Sequence, residues 1–328
     1  MSAIANRCSV CKAFVEEEDL FCANCGTEAP TSPIVIKDET ETTTHNFNCQ
    51  GCGASMSYDA SAQNLRCPFC GSEKLDEDKS NRTLRAKYII PFNTSQDDIL
   101  AALKKWLGSS FWRPSDLVQR AVLTNVTAVY VPYWIFSART FTYWTADSSA
   151  VPWTASGDWM PVTGEHHSQY SGVLVGASSV LTQSETNAIC PYNLDAAKTP
   201  DQVETEKIIV EQFRVQRKYA RPLARQSIEA LERNACRKYV EGRSRNVKVN
   251  TRLEGLMGQP VLLPVWVLAY QYKGELYRFL VNGQTGRHTG TAPVSWQKIL
   301  MVIAIVLLVI LGVLFLIGGV GVIGSMAG

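Results

Sequence analysis

From Ile299 to Ile323 the chain runs for twenty-five residues without a charge or a strongly polar group. As a helix this run extends roughly 37 Å, against a bilayer hydrocarbon core of about 30 Å. A buried globular helix is seldom this long and apolar on every face, so the pattern predicts a single transmembrane helix. Trp296 and Lys298 stand immediately before it, where an indole occupies the headgroup region and an ammonium snorkels. Arg278, Arg287 and Lys298 precede the run and no cation follows it, which by the positive-inside rule places the N-terminal side in the cytoplasm. The expectation is a single-pass tail anchor over 298–324.

Upstream the hydrophobic period shortens and alternates. Lys87 to Phe92 reads as a strand, and Ser95 to Leu107 as a helix with Ser95 as N-cap, Asp97 and Asp98 in the first turn, and Ile99, Leu103, Trp106 and Leu107 at helical spacing. β-branched and aromatic residues favour strands from Ala121 to Trp144 and from Val173 to Leu181. Thr199 to Gln202 reads as a capping box with Pro200 at the first position, predicting a helix that carries Val203, Val210 and Phe213 and breaks or kinks at Pro222. A second amphipathic helix follows, with Ala224, Ile228, Leu231, Ala235 and Tyr239 on one face and Gly242 after its end. Val261 to Gly290 reads as strands joined by turns at Lys273-Gly274 and Asn282-Gly283. Tyr130-Val131-Pro132-Tyr133-Trp134 and Leu262-Leu263-Pro264-Val265-Trp266 resemble each other, as two copies of one β unit would or as short matches do by chance. The aromatics around Trp112, Tyr133, Trp134 and Trp144 read as core.

Cysteine spacing adds the chemistry. Eight of the ten cysteines fall into four Cys-x-x-Cys pairs, while Cys190 and Cys236 stand alone. Cys8, Cys11, Cys22 and Cys25 make one set with ten residues between its pairs; Cys49, Cys52, Cys67 and Cys70 make another with fourteen. Such paired knuckles suit a closed tetrahedron of thiolates around structural Zn2+ better than an iron–sulfur pattern or a redox dithiol. Gly26, Gly53 and Gly71 directly follow knuckle cysteines, where the chain turns tightly. Two zinc ions per chain are therefore expected, as structural cofactors. The polar stretches between the apolar segments divide the α+β chain into a first ribbon (1–27), a linker (28–46), a second ribbon (47–71), a second linker (72–83), a mixed domain (84–297) and the membrane helix. Thiolate ligands and the lack of a basic-then-apolar N-terminal stretch also point to the cytoplasm.

Charge bears on partners. Met1 to Ser80 holds six Lys and Arg against thirteen Asp and Glu, with Glu16, Glu17, Glu18 and Asp19 inside the first ribbon. Phosphate is repelled from such a surface, so protein recognition is the better reading and nucleic acid the weaker one. Arg214, Arg217, Lys218, Arg221 and Arg225 recur at helical spacing; they face anionic lipid or nucleic acid, or pair locally with carboxylates on a solvated face. His166 and His167 lie beside Glu165 in a segment that reads as loop, and no ligand-like spacing elsewhere marks them as a metal or acid-base site. No Gly-x-x-x-x-Gly-Lys-Ser/Thr loop, Gly-x-Ser-x-Gly elbow or His-Glu-x-x-His is present, and the chain reads as a non-enzyme.

The run Phe47-Asn48-Cys49-Gln50-Gly51-Cys52-Gly53-Ala54, with Cys67-Pro68-Phe69-Cys70-Gly71, resembles the TFIIB-type zinc ribbon proteins of bacteria. Ile90-Pro91-Phe92, Phe111-Trp112-Arg113-Pro114, Tyr130 to Trp134 and Tyr277 to Gly286 are similar to that family's recurring segments, so the likeness covers most of Phe47 to Gln297. It implies Cys49, Cys52, Cys67 and Cys70 as ligands. The ribbon at Cys8 to Cys25 departs from shorter relatives that have only one. Members are often labelled primosomal protein N-prime or superfamily II helicase, although the nucleotide-binding motif is missing here. The family's association with phage-shock and band-7-type membrane proteins implies an adaptor that docks protein partners at the bacterial inner (plasma) membrane. A nucleic-acid-associated protein of replication or transcription and a membrane-associated enzyme are the alternatives.

Overall fold

The computed structural model describes residues 6–12, 14–15, 44–59, 65–78, 84–203, 205 and 208–326, with side chains of the last helix described to Gly312. Two short antiparallel strands, β1 (Asn6–Arg7) and β2 (Phe14–Val15), flank the first knuckle. The second ribbon follows as the hairpin β3 (Thr44–Cys49) and β4 (Ser55–Asp59), with β5 (Leu75–Glu77) returning beside β3. The body opens with β6 (Tyr88–Ile89), α1 (Gln96–Leu107), the short α2 (Leu117–Arg120) and two long strands, β7 (Val122–Ser148) and β8 (Met160–Gly176). It continues through α3 (Gln183–Ala188), 3-10 turns at Leu194–Ala196 and Pro200–Gln202, β9 (Ile209–Glu211) and α4 (Arg217–Arg237). The chain then forms β10 (Ser244–Tyr272), β11 (Glu275–Asn282), β12 (His288–Gly290) and α5 (Trp296–Met326). Among the described residues, ten strands make one mixed sheet in the order β12-β11-β10-β7-β9-β4-β3-β5, with β6 on β10 and β8 on β7.

The architecture is mixed α+β, and its centre is the antiparallel pair β7–β10. Registered from Val122↔Gln271 to Ser148↔Ser244, this pair brings the two similar pentapeptides face to face, with Val131 opposite Leu263. They are related elements. Each long strand turns back in a hairpin, and the residue after each return strand donates to a proline carbonyl, Ala177 N to Pro132 O at 2.9 Å and Gly283 N to Pro264 O at 2.8 Å. Each long strand is also joined by a short parallel strand from the other half: β6 on β10 through Ile89↔Leu262, and β9 on β7 through Tyr130↔Val210. Both short strands lead to a phenylalanine, Phe92 or Phe213, and four residues later to a helix, α1 or α4. The body is thus two copies of a strand–helix–hairpin unit that exchange their first strands.

Local chemistry explains the elements that match expectation. Ser95 and Asp98 form a reciprocal capping box, Ser95 N donating to Asp98 Oδ2 at 3.1 Å and Asp98 N to Ser95 Oγ at 3.3 Å. Ile99, Leu103 and Leu107 then pack on Leu268, Tyr270 and Phe279 of β10–β11. At the hairpin between those strands Lys273 and Gly274 both have positive φ, 50° and 87°, as the Lys-Gly pair predicts.

Other elements differ. Thr199 to Gln202 makes only a 3-10 turn, and Val210 lies in β9, because pairing with β4 and β7 outcompetes a short helix. A single helix, α4, runs through Pro222. Its buried face is Ala220, Ala224, Ile228, Glu232 and Cys236, while Leu231 and Tyr239 are exposed. Glu165, His166 and His167 belong to β8, opposite Tyr143, Thr142 and Phe141, and not to a loop. Trp112 is half-exposed, whereas Tyr133, Trp134 and Trp144 are buried as expected. Among the described residues no helix is long and apolar enough to cross a membrane; the described side chains of α5 end after seventeen residues, at Gly312.

Candidate metal centre

The second ribbon is built from the backbone outward. Cys49 closes β3 and starts a knuckle in which Gly53 N donates to Cys49 O at 2.9 Å; Cys67 starts its partner, with Gly71 N donating to Cys67 O at 2.8 Å. Gly53 and Gly71 have φ of 75° and 74°, a conformation that disfavours a Cβ. β5 returns against β3, with Leu75 opposite Cys49, and Gln50 N donates to Lys74 O, so the two knuckles converge. Between them Gly51 is tight: a Cβ there would meet Ser72 Cβ at 3.2 Å and Cys70 Sγ at 3.3 Å.

The result is four sulfurs, of Cys49, Cys52, Cys67 and Cys70, all within 4.8 Å of one another. Cys49–Cys70 and Cys52–Cys67 stand at 3.5 Å. A zinc–sulfur distance of about 2.3 Å in a tetrahedron separates sulfurs by about 3.8 Å, so one ion fits with small adjustment. Electrostatics favour a cation here. The hydrogen bond from Cys67 pulls the Cys52 thiol down to about 5, that same bond holds Cys67 far above the usual thiol range, and burial pushes Cys70 up to about 11. Four adjacent thiols do not all ionise unaided; a divalent cation lets each give up its proton. An ion held by all four sulfurs would have a closed shell, which holds structure and leaves no position for substrate. Burial, followed by the charges of Cys67 and Cys49, raises Tyr58, whose hydroxyl donates to Arg66 O at 2.7 Å.

This centre is continuous with the body. Cys49, Ala54, Met56, Tyr58, Cys67 and Phe69 share one core with Val129, Val131, Val261 and Leu263 of the long strands. β9 joins the two, Met56 opposite Glu211 on one side and Val129 opposite Ile209 on the other. Arg214, just beyond, donates to Ser55 Oγ at 2.8 Å, Asn48 Oδ1 at 2.9 Å and Asp78 Oδ2 at 3.1 Å. The basic series is therefore engaged within the protein at Arg214, at Arg217, which donates to Gly258 O at 3.3 Å, and at Arg225, which pairs with Glu229 at 2.9 Å.

In the first ribbon, Cys8 is buried and Val10 N donates to its sulfur at 3.4 Å. Lys12 N donates to Cys8 O at 3.1 Å, and Lys12 itself holds φ of 58° where the other knuckles use glycine. Cys22, Cys25 and Gly26 lie outside the described residues.

Phe92, Tyr130, Trp266 and Gly283 meet at the junction of the two halves. Phe92 packs edge-on against Tyr130 at 5.2 Å and Trp266 at 5.4 Å. A Cβ on Gly283 would meet Phe92 at 2.5 Å and Pro264 at 2.9 Å. These residues hold the fold together. His166, read from the sequence as a loop residue, instead contacts buried Glu232, its Nδ1 2.9 Å from Oε2; i,i+4 spacing on α4 brings Cys236 beside them, a grouping visible only once α4 lies over β8.

The chain is similar to a Bacillus subtilis (strain 168) protein described as "Uncharacterized protein YdjG", with 24% identity over 314 residues, 77% of this chain and 92% of the relative. No family model matches the chain. No solved structure matches it.

Proposed function

We propose that the chain is a non-catalytic adaptor that holds zinc ribbons against the cytoplasmic face of the bacterial inner membrane and docks a protein partner there. The observation that carries this reading is the four-thiolate centre sharing a core with the body. A closed centre built into a rigid sheet suits a fixed recognition surface. Zinc fits the donor set best, with one ion at Cys49, Cys52, Cys67 and Cys70 and a second at Cys8, Cys11, Cys22 and Cys25. The ribbon side ends in an exposed acidic edge, β5, with Asp76 and Glu77 on its surface. Arg214 and Arg225 are bonded internally, which leaves less basic surface for phosphate. Of protein partners, phage-shock or band-7-type membrane proteins are the class the family resemblance favours.

The anchor reading rests on α5 as a whole, thirty-one residues of which Ile299 to Ile323 are uncharged. Its root is fixed to the body: Ser295 N donates to Trp112 O at 2.8 Å, and Lys298 Nζ donates to Phe111 O at 3.0 Å and Arg113 O at 2.8 Å. Phe111, Trp112 and Trp296 are exposed around that root, the residue types found at a headgroup boundary.

The test is crosslinking and recovery of the full chain from native bacterial membranes, beside a Cys67→Ser/Cys70→Ser variant. The expected result is a protein captured by the wild-type chain and lost from the variant, while both stay in the membrane after an alkaline wash. Release of the wild-type chain by that wash, or tight salt-dependent DNA binding without a ribbon-dependent protein partner, overturns the reading.

A further inference from the structure

We propose that His166, Glu232 and Cys236 form a metal site of a different kind, for a divalent transition ion of borderline softness such as Zn2+. It does not depend on the adaptor reading. Glu232 and Cys236 are four residues apart on α4, hence on one face, and His166 reaches them from β8. One donor atom from each, a ring nitrogen, a carboxylate oxygen and a sulfur, lies within 4.8 Å of the other two. Tetrahedral zinc sets such donors about 3.3–3.8 Å apart, so a single ion reaches all three once the 2.9 Å His166–Glu232 contact opens slightly.

The carboxylate is held for this role. Thr140 Oγ1 donates to Glu232 Oε1 at 2.8 Å, while Oε2 faces His166 Nδ1 at 2.9 Å. Orienting bonds of this type are the usual outer shell of a metal ligand. The Tyr239 ring packs on the His166 ring at 5.5 Å and fixes its plane. Glu232 and Cys236 are fully buried, whereas the His166 side chain is 14% exposed, which gives an ion and a fourth ligand, water, their way in.

The two-fold repeat sharpens the case. In the other half, α1 is sealed onto β10–β11 by apolar side chains. α4 has twenty-one residues to the twelve of α1, and β8 has seventeen to the eight of β11. All three donors lie in these extensions, where apolar packing would cost less than a buried His–Glu pair. On binding, a neutral His166 presents a ring-nitrogen lone pair to the ion with its N–H on the other nitrogen, the Cys236 thiol proton is released to solvent, and three metal–ligand bonds form.

The full chain in detergent, exchanged with 113Cd2+, is expected to give the resonances of four-thiolate sites and one further resonance, well upfield, from a site of mixed sulfur, nitrogen and oxygen. In Cys236→Ala that resonance disappears, the thiolate ones stay, and elemental analysis of the zinc-loaded protein falls by one ion per chain. A wild-type spectrum holding four-thiolate resonances alone overturns the proposal whether or not the variant folds. An unchanged zinc content in folded Cys236→Ala overturns it as well.

Discussion

At the scale of single residues, three positions show local rules in tension with their surroundings. Lys12 occupies the left-handed conformation that costs a residue with a Cβ roughly 1 kcal/mol or more. Lys12→Gly is expected to tighten zinc binding at the first ribbon about fivefold, measured by chelator competition. Glu211 is fully buried; its Oε1 accepts from Ser178 Oγ and Ser179 N at 2.8 and 2.9 Å, but Oε2 has no partner, and burial pushes the carboxyl up to about 7. A carboxyl raised on folding binds its proton more tightly in the folded state, so its contribution favours folding at low pH and is lost as pH rises from about 4.5 through about 7. The loss reaches up to about 3 kcal/mol. Glu211→Gln should gain stability relative to the natural chain as urea unfolding is moved from pH about 5 to about 8; a difference that stays constant with pH contradicts the assignment. Asn282 is buried and uses both donors, on Ile189 O and Pro191 O, and its acceptor, from Gln284 N and Thr285 N. Asn282→Ala should destabilise the body by about 3 kcal/mol, read from the urea midpoint. The sequence offers Asn282-Gly283 as a turn, but how many carbonyls the asparagine holds together is a tertiary fact, invisible until Ile189 and Pro191 are beside it.

Elements were legible where a local rule was sufficient. Ser95 and Asp98 mark the start of α1 by themselves, and Cys-x-x-Cys followed by glycine marks each knuckle of the second ribbon. The capping pattern at Thr199 misleads because Val210 and Phe213 fit a helix as well as the strand that β4 and β7 impose. β8 is hard to read around His166 because the less exposed face of its period-two pattern, Val162, Gly164, His166, Ser168 and Tyr170, is itself largely not aliphatic. β9 deserves a test as the element that joins ribbon and sheet. Removal of metal by a chelator should speed hydrogen exchange at the Gln212 amide, which donates to Ser55 O at 2.9 Å, and leave β11 protected. Equal loss of protection in both would mean that the centre supports the whole body.

The whole molecule is organised by the exchange of β6 and β9 between its halves. The pentapeptide similarity hinted at a repeat, yet strand exchange leaves no mark on hydrophobic period and emerges only from the register. A protease site inserted between Val203 and Ile208 should therefore yield two fragments that co-elute on size exclusion under native conditions. Separate elution would show that the crossed strands contribute little. Synthesis gives the exchange a second meaning. Ile89 leaves the ribosome 173 residues before Leu262, its partner in the sheet, an interval on the order of ten to thirty seconds at the usual pace of elongation. Throughout it the strand edge that β6 will occupy does not yet exist, and when Leu262 does emerge, Ile299 is only 37 residues behind. The body thus closes while α5 is being made, so the order of the chain makes the last pairing of the sheet and the synthesis of its final helix coincide in time.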